Sequence, residues 1–365
     1  QLGLNSGLEE FFNAVHEVAN DPTSIAAREV MLSQGETLAN RFNVLDQQIL
    51  DYDRQLDSTL EGGVNEINVL SQGISELNTA IVQNTTSSGG APNDLLDKRD
   101  HLIDELSKYV SVTVVEEASG SMNVFVGTGQ AIVTGVGPVK LSVIADTSTS
   151  PPRSKVGYGL GEIDISAQLT GGTIGGAFQV RTDVIDPARS ELSVLAFSLA
   201  NSVNTQNLAG VDLDNTTAAS PGHLIFGDLS AVAAGEYAGA ISVVMTDARK
   251  IAASSTTNSS IGNNENALKL ADLQVTKTMA GGTQTFADSY GVLVARVATK
   301  THQADIAQQT QEGLLNQVKL RADSVSGVNL DEEAANLIKF QQSYQAASQI
   351  ITVSNTVFNA LMNAF

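Results

Sequence analysis

Residues Leu38 to Ile81 read LANRFNVLDQQILDYDRQLDSTLEGGVNEINVLSQGISELNTAI, and the way this stretch repeats decides the fold. Leu38, Leu45 and Tyr52 stand seven apart, interleaved with Phe42, Ile49 and Leu56. Heptad spacing of this kind lays one apolar stripe along a helix too long to bury it against its own turns. The pattern falters at Gly62 and Gly63, then resumes one residue out of step as Ile67, Ile74 and Ile81 beside Leu70 and Leu77. The reading is a single long helix with a bend or a local change of winding near the glycine pair.

Upstream, Leu4, Leu8, Phe11, Phe12, Val15 and Val18 have helical spacing, and NDPTS at Asn20–Ser24 is a corner in which Asp21 and Pro22 prepare the next helix. Downstream, NTTSSGGAPN at Asn84–Asn93 is a loop by composition, and Leu95, Leu96, Leu102, Ile103 and Leu106 mark a third helix. β-Branched runs beginning at Val110, Met122, Ala131 and Lys140 predict a small β-domain over residues 110–180, with TSTSPPRSK at Thr147–Lys155 as a loop inside it. Helical spacing returns with Ile185, Leu192, Leu195, Leu199 and Val203. Residues 209–261 read as irregular, and AASSTTNSSIGNN from Ala252 has the composition of a flexible linker. Helical patterns follow at Ala267–Leu273 and Phe286–Val318, before a break at Ser324–Gly327.

A second heptad series occupies the last residues. Leu330, Leu337, Tyr344, Ile351, Phe358 and Phe365 stand seven apart, with Phe340, Ala347 and Leu361 three residues after members of the series. Asn329 is an N-cap candidate with Glu332 at capping-box spacing, and Asp331 and Glu333 add negative charge where the helix dipole favours it. Such a helix would be roughly 54 Å long and needs a partner for its stripe. The fold class expected is α+β and multidomain: a long antiparallel helical bundle or coiled-coil rod, an inserted small β-domain and a terminal heptad helix. The expected division is a rod of residues 1–109 with 181–208 and 262–326, a β-insert at 110–180, an outer insertion and linker at 209–261, and a terminal helix at 327–365.

Composition narrows the function classes. A formal charge of -20, from 20 Lys+Arg against 40 Asp+Glu in 365 residues, repels phosphate backbones and anionic lipid, so no nucleic-acid partner is expected. Cysteine is absent, which removes disulfides, thiolate metal sites and cysteine nucleophiles. No run reaches the ~18 apolar residues of a membrane span, the nearest being Leu192–Val203, so no membrane insertion is expected. The chain opens at Gln1 without Met or a leader, and a preceding segment is expected.

No catalytic constellation emerges. His16, His101, His223 and His302 lie in four different segments without ligand spacing. VDLDN at Val211–Asn215 begins like a calcium loop, but Thr217 and His223 stand where the turn glycine and bidentate glutamate belong, so a solvated loop is expected. GTGQ at Gly127–Gln130 and GGTIGG at Gly171–Gly176 lack the lysine and hydroxyl of a phosphate loop and read as tight turns. Asp97, Asp100, Asp104 and Glu105 alternate with Lys98, Arg99 and Lys108, the pattern of a salt-bridged helix surface. The reading is a protein that is not an enzyme, with no catalytic, cofactor-binding or metal residues and no cofactor.

SGVNLDEEAANLIKFQQSYQAASQIITVSNTVFNALMNAF at Ser326–Phe365 closely resembles the C-terminal helix of bacterial flagellar axial proteins. Three further stretches resemble the hook-associated protein 1 family within that group: NDPTSIAAREVMLSQGETLANRFNVLDQQI at Asn20–Ile49, PNDLLDKRDHLIDELSKYVSVTVVE at Pro92–Glu116, and LAFSLANSVNTQNLAGVDLD at Leu195–Asp214. The resemblance implies a structural protein of the hook-filament junction, secreted by type III export without a cleaved signal peptide and extracellular in the flagellum. It implies self-assembly in a tubular fibre, contact with the hook protein and hook-associated protein 3, and a cytosolic export chaperone on the C-terminal helix. Carried over by position, the polymerisation and chaperone-binding surface would be Leu330, Leu337, Phe340, Tyr344, Ile351, Phe358, Leu361 and Phe365. Ser348 and Asn355 would limit bulk in that seam. The family also carries an N-terminal helical segment that would pair with the last helix, and many members carry a large outer domain after the counterpart of Asp212, where this chain has about 30 irregular residues. The alternative reading is a secreted surface adhesin or hydrolase with a carbohydrate-binding β-domain, for which residues 110–180 offer no aromatic platform.

Overall fold

All of Leu38–Ile81 lies within one helix, α2 (Ile25–Ser88), 64 residues long and hence roughly 96 Å at 1.5 Å per residue. The computed structural model describes residues 3–88, 92–135, 137–216, 223–256, 259–326 and 330–362. Neither glycine breaks α2, and the expected change of step does not occur. Leu32, Ala39, Asp46, Asp53, Leu60, Ile67, Ile74 and Ile81, each seven residues after the last, form one buried column. Tyr52, counted into the seam from its apolar character, is 63% exposed, whereas Asp53 is 2% exposed. A count of apolar residues passes over Asp46 and Asp53 and so creates the phase slip. Gly63 answers to packing rather than winding: a Cβ there would lie 2.6 Å from Ile174 Cδ1 of α4 (Gly172–Val180). The glycine lets that helix approach closely.

Contacts divide the chain into two compact units, one up to Lys300 and one from Thr301. The first contains two apolar cores that share no residue.

One core gathers α1 (Leu4–Asn20), the N-terminal half of α2, α5 (Asp186–Leu208), α6 (Tyr237–Ala240), α7 (Glu265–Asp272) and the start of α8 (Phe286–Ser326). Leu4, Leu8, Phe11, Phe12, Val15 and Val18 all point inward, and the Phe12 ring stacks on Phe286 with centroids 6.3 Å apart. At the corner, Asp21 Oδ1 accepts from Thr23 N at 3.2 Å and Thr23 Oγ1 at 2.8 Å, and Ser24 Oγ accepts from Ala27 N at 3.2 Å. Side chains thus satisfy donors at the start of α2. Arg28 then fastens the corner to the far side of the core. Its buried guanidinium donates to Pro22 O at 3.1 and 2.6 Å, to Ala248 O at 3.5 Å and to Ile251 O. Burial lowers its pKa to about 10.

The segment expected to be an irregular insertion ending in a flexible linker contributes directly to this core. Ile225, Phe226, Leu229, Ile241, Met245, Ile251 and Ala253 are buried there. Irregular backbone cannot satisfy itself when buried, and asparagines do so instead. Asn204 Oδ1 accepts from Ile225 N at 2.9 Å and Phe226 N at 3.0 Å, and Asn207 Oδ1 accepts from Ala252 N at 2.8 Å. Asn266 Nδ2 donates to Ala252 O at 2.6 Å. Ser254 and Ser255 form β9, paired antiparallel with β8 (Gly210–Val211). The small residues of AASS serve tight packing, which composition alone reads as flexibility.

VDLDN is likewise not a solvated loop. Asp212 is buried and accepts from Asp214 N and Thr216 N, both at 2.9 Å. His223 Nε2 lies 2.9 Å from Asp212 Oδ2, and Lys250 Nζ bridges Asp212 Oδ2 at 3.1 Å and Asp214 Oδ2 at 2.9 Å. An ammonium stands where a calcium loop would hold its ion. Burial opposes ionisation of Asp212, but hydrogen bonds from Thr216, His223 and Lys250 outweigh it and hold the carboxyl well below the usual carboxylate range.

The second core joins the C-terminal half of α2 and α3 (Asn93–Ser107) to the strands and α4. β1 (Val112–Glu116), β2 (Met122–Val126), β3 (Gln130–Thr134) and β4 (Gly137–Pro138) form an antiparallel meander with Val114 opposite Val124. β5 (Leu141–Asp146), β6 (Arg153–Tyr158) and β7 (Ile163–Asp164) form a second sheet with Val143 opposite Val156. Val124, Val126, Ile132, Val133 and Val156 face Leu60, Ile67 and Ile74 of the α2 column. Two asparagines of α2 clip strand ends: Asn68 exchanges both backbone hydrogen bonds of Leu141 at 2.8 and 2.9 Å, and Asn78 Nδ2 donates to Met122 O at 2.8 Å and Gly135 O at 2.6 Å. Arg99, expected on a salt-bridged surface, is instead buried, donating to Asn78 Oδ1 at 3.3 Å and Gly120 O at 2.8 Å. Its neighbours do follow the expectation, with exposed pairs Lys98–Asp94 at 2.8 Å and Lys108–Glu105 at 2.5 Å. At Gly172, φ is +57 and a Cβ would meet Tyr109 C at 2.3 Å, so the GGTIGG run is a close helix start against Tyr109 and Val110.

Candidate functional site

The second unit holds the end of α8 and α9 (Leu330–Met362). α9 contains neither glycine nor proline over its 33 residues, which suits an unbroken helix. Leu337 and Tyr344 stand two turns apart, and Phe340 lies between them at i+3, so the three side chains share one stripe. They are 58%, 78% and 72% exposed, respectively. Large apolar side chains in that state each leave about 1.5–3 kcal/mol of burial unrealised.

Leu330, Ile351, Phe358 and Leu361 fall on α9 by their backbone positions, in the same heptad series or at its companion position. Phe365 and the proposed N-cap Asn329 lie outside the described residues. The charged residue Lys339 is about 160° around the helix from Leu337 and about 140° from Tyr344, given 100° per residue. Between Leu337 and Tyr344, charge therefore stays off the stripe. Ser348 is exposed and sits close to the line of Leu337. A small polar side chain there leaves a notch between bulkier neighbours.

Composition gave no reason to single out the end of α8, yet it carries a comparable surface. Ile306, Leu314, Leu315, Val318 and Leu320 are all at least half exposed. Leu314 and Val318, and Leu315 and Val318, have i+4 and i+3 spacing. The missed signal was this apolar spacing within a run otherwise rich in Gln and Thr. Around it, Gln308 Nε2 donates to Glu312 Oε1 at 3.0 Å and Gln309 Nε2 to Asp305 Oδ2 at 3.1 Å, both four residues apart along the helix.

Among the described residues no group of three or more His, Cys, Asp or Glu is placed to hold a metal ion, and no helix is long and apolar enough to cross a membrane. His16, His101, His223 and His302 remain apart: His16 Nε2 lies 3.3 Å from Gln274 Oε1, His223 faces Asp212, and His101 and His302 are exposed. The chemistry the second unit offers is association through apolar helix faces.

Comparison with known proteins bears on both units. Residues 1–226 match the model of the flagellar hook-associated protein FlgK helical domain, and residues 322–364 match that of the flagellar basal body rod FlgEFG protein C-terminal region. Flagellar hook-associated protein 1 of Escherichia coli K12 is 29% identical, over 99% of this chain and 80% of its own length. The protein of that name from Salmonella typhimurium LT2 is 28% identical over 99% and 81%, and that from Bacillus subtilis 168 is 25% identical over 99% and 76%. The structure of the flagellar hook junction protein FlgK from Burkholderia pseudomallei superposes with a TM-score of 0.79 at 19% identity, covering 89% of this chain and 94% of that one. At that identity the superposition speaks for the fold.

Proposed function

The chain belongs to the family of the flagellar hook-associated protein FlgK, and on that premise we propose that it is built into the junction between hook and filament through the apolar stripe of α9. It is a structural component of the flagellum, and the reading as a secreted adhesin or carbohydrate-directed hydrolase gives way to this one. The observation that carries the assignment of a surface is the exposure of Leu337, Phe340 and Tyr344 inside the segment that matches axial-protein C-termini. Leu330, Ile351, Phe358, Leu361 and Phe365 extend the stripe along the sequence.

In this reading residues 327–365 form the inner-tube segment, which further copies of the chain cover in the assembled tubular fibre. Hook protein lies on one side and hook-associated protein 3 on the other. Before assembly, a cytosolic export chaperone covers the same side chains, which are costly to leave wet. The chain leaves the cell by type III export, acts outside it and catalyses no reaction.

The test is the double substitution Leu337→Ser with Tyr344→Ser in the flagellated cell. Loss of chaperone co-purification, and hooks that end without filaments in electron micrographs, are expected. Filaments of normal number and unchanged swimming would overturn the assignment of the stripe.

A further inference from the structure

Between the two apolar cores, the inner column of α2 changes character. Phe42 and Ile49 pack in the first core, Leu56 and Leu60 in the second, and the positions facing inward between them include Asp46, Asp53 and Asp57. The three carboxylates meet three arginines of the returning chain, Arg153, Arg181 and Arg189. Asp53 is shared by two: Arg181 Nε at 2.7 Å on Oδ1 and Arg153 Nε at 2.6 Å on Oδ2. Arg181 Nη2 also reaches Asp57 Oδ1 at 2.6 Å, and Arg153 Nη1 reaches Asp186 Oδ1 at 2.6 Å. Arg189 Nε reaches Asp46 Oδ1 at 3.1 Å, while its Nη1 donates to Ser150 O at 2.9 Å. Backbone completes the layer, with Ser154 N donating to Asp57 Oδ1 at 2.8 Å and Arg181 Nη1 donating to Ser154 O at 3.0 Å.

An apolar column at these positions would fuse the two cores into one. Charged pairs do not: removal from water offsets most of their attraction, and what remains depends on geometry and register. Ile185 and Ala188, buried on the return helix at this level, belong to neither core. Arg181 opens a π-helical turn, Arg181–Ile185, a winding that helices adopt where they must adjust. A crevice of about 440 Å³ lined in part by Ser148, Arg153, Asp186 and Arg189 opens on one side of the Ser150 loop, and one of about 470 Å³ lined in part by Asp46, Arg54, Pro151 and Arg189 on the other.

We infer that this Asp–Arg layer is a joint: it fixes the mutual orientation of the two lobes, and loosening it lets them tilt about α2 while each core stays folded. The axial register is fixed by the same contacts. A slip of one heptad would set Arg181 opposite Leu60 or Asp46 in place of Asp53.

The chain has no cysteine, so two can be introduced cleanly for spin labels, at the exposed positions Glu9 in the first lobe and Asp97 in the second. In the full chain, the distance distribution between labels is expected to be one narrow peak. With Asp53→Asn and Asp57→Asn added, it broadens or shifts, while amide protection at Phe11 and Ile74 stays at the parent level. An unchanged distribution would overturn the joint, and so would loss of protection in either core, because the layer would then be part of that core. Arg189→Gln gives the second reading, since it removes one pair at the edge of the layer and leaves Asp53 satisfied. It should broaden the peak less than the double variant. No broadening from Arg189→Gln, when the double variant fails to fold, would equally reject the proposal.

Discussion

Ile67 and Ile74 on α2, and Leu337 and Tyr344 on α9, are the same device: apolar side chains seven residues apart on a long helix. The first pair is fully buried, and the second is more than half exposed. What differs is supply. Within its own unit, α2 is met by β2, β3, β6, α3 and α4, which bring Val124, Ile132, Val156, Leu106 and Ile174 to its column. At Leu337, Phe340 and Tyr344, α9 meets no such set of strands and helices. A heptad states that a helix needs a partner, and the rest of the chain decides whether that partner is internal.

The contrast breaks most visibly through substitution. Ile74→Ala should cost about 2–5 kcal/mol in urea unfolding, because the column there is closed on all sides. Leu337→Ala should change stability by less than ~0.5 kcal/mol while weakening assembly. Similar costs at both sites would mean that the two columns are equally buried in solution.

Next in size is Arg28→Met, which keeps the bulk but leaves the carbonyls of Pro22, Ala248 and Ile251 without their buried donor; a loss of about 2–4 kcal/mol is expected from the same titration. Gly63→Ala should cost about 1 kcal/mol. Its added Cβ crowds the tip of Ile174, while better helix propensity returns part of the loss. The exposed Gly62, with open space around it, should instead gain from the same change.

A last effect shows only in acid. The folded-state pKa of Asp212 is depressed, so its contribution to stability is complete above the unfolded carboxylate value of about 4 and is lost as pH falls through the folded value. Unfolding midpoints followed from pH 6 downward should therefore hold steady to about pH 4 and then drop. In Asp212→Asn that part of the drop should be missing, and an identical acid profile in the variant would remove Asp212 from the account.

Most elements were legible because they rest on period and punctuation: α1, the corner at Asp21 and Pro22, the β-branched strands, and α9. The α2 seam was legible in kind but not in phase. Asp46 and Asp53 occupy core positions that hydrophobicity cannot flag, since their burial depends on arginines a hundred residues or more away. The same holds for Arg28, whose partners are backbone carbonyls invisible to side-chain patterns, and for Arg99, held by Gly120 O and Asn78 Oδ1. Residues 225–253 were hidden for another reason: their apolar residues, such as Ile225, Phe226, Ile241 and Ile251, follow no helix or strand period, and asparagines from elsewhere in the chain satisfy their backbone. On α9 the stripe itself was plain in sequence. Its partner is not written there.

The two cores also differ in when a growing or refolding chain can complete them. The second draws its buried residues from Leu60 to Ala177, whereas the first needs both Leu4 and Phe286. Contacts that close long loops form later. The sheets should therefore gain exchange protection on α2 before α1 does, and α1, although it precedes α2 in the chain, should be among the last helices to find its place.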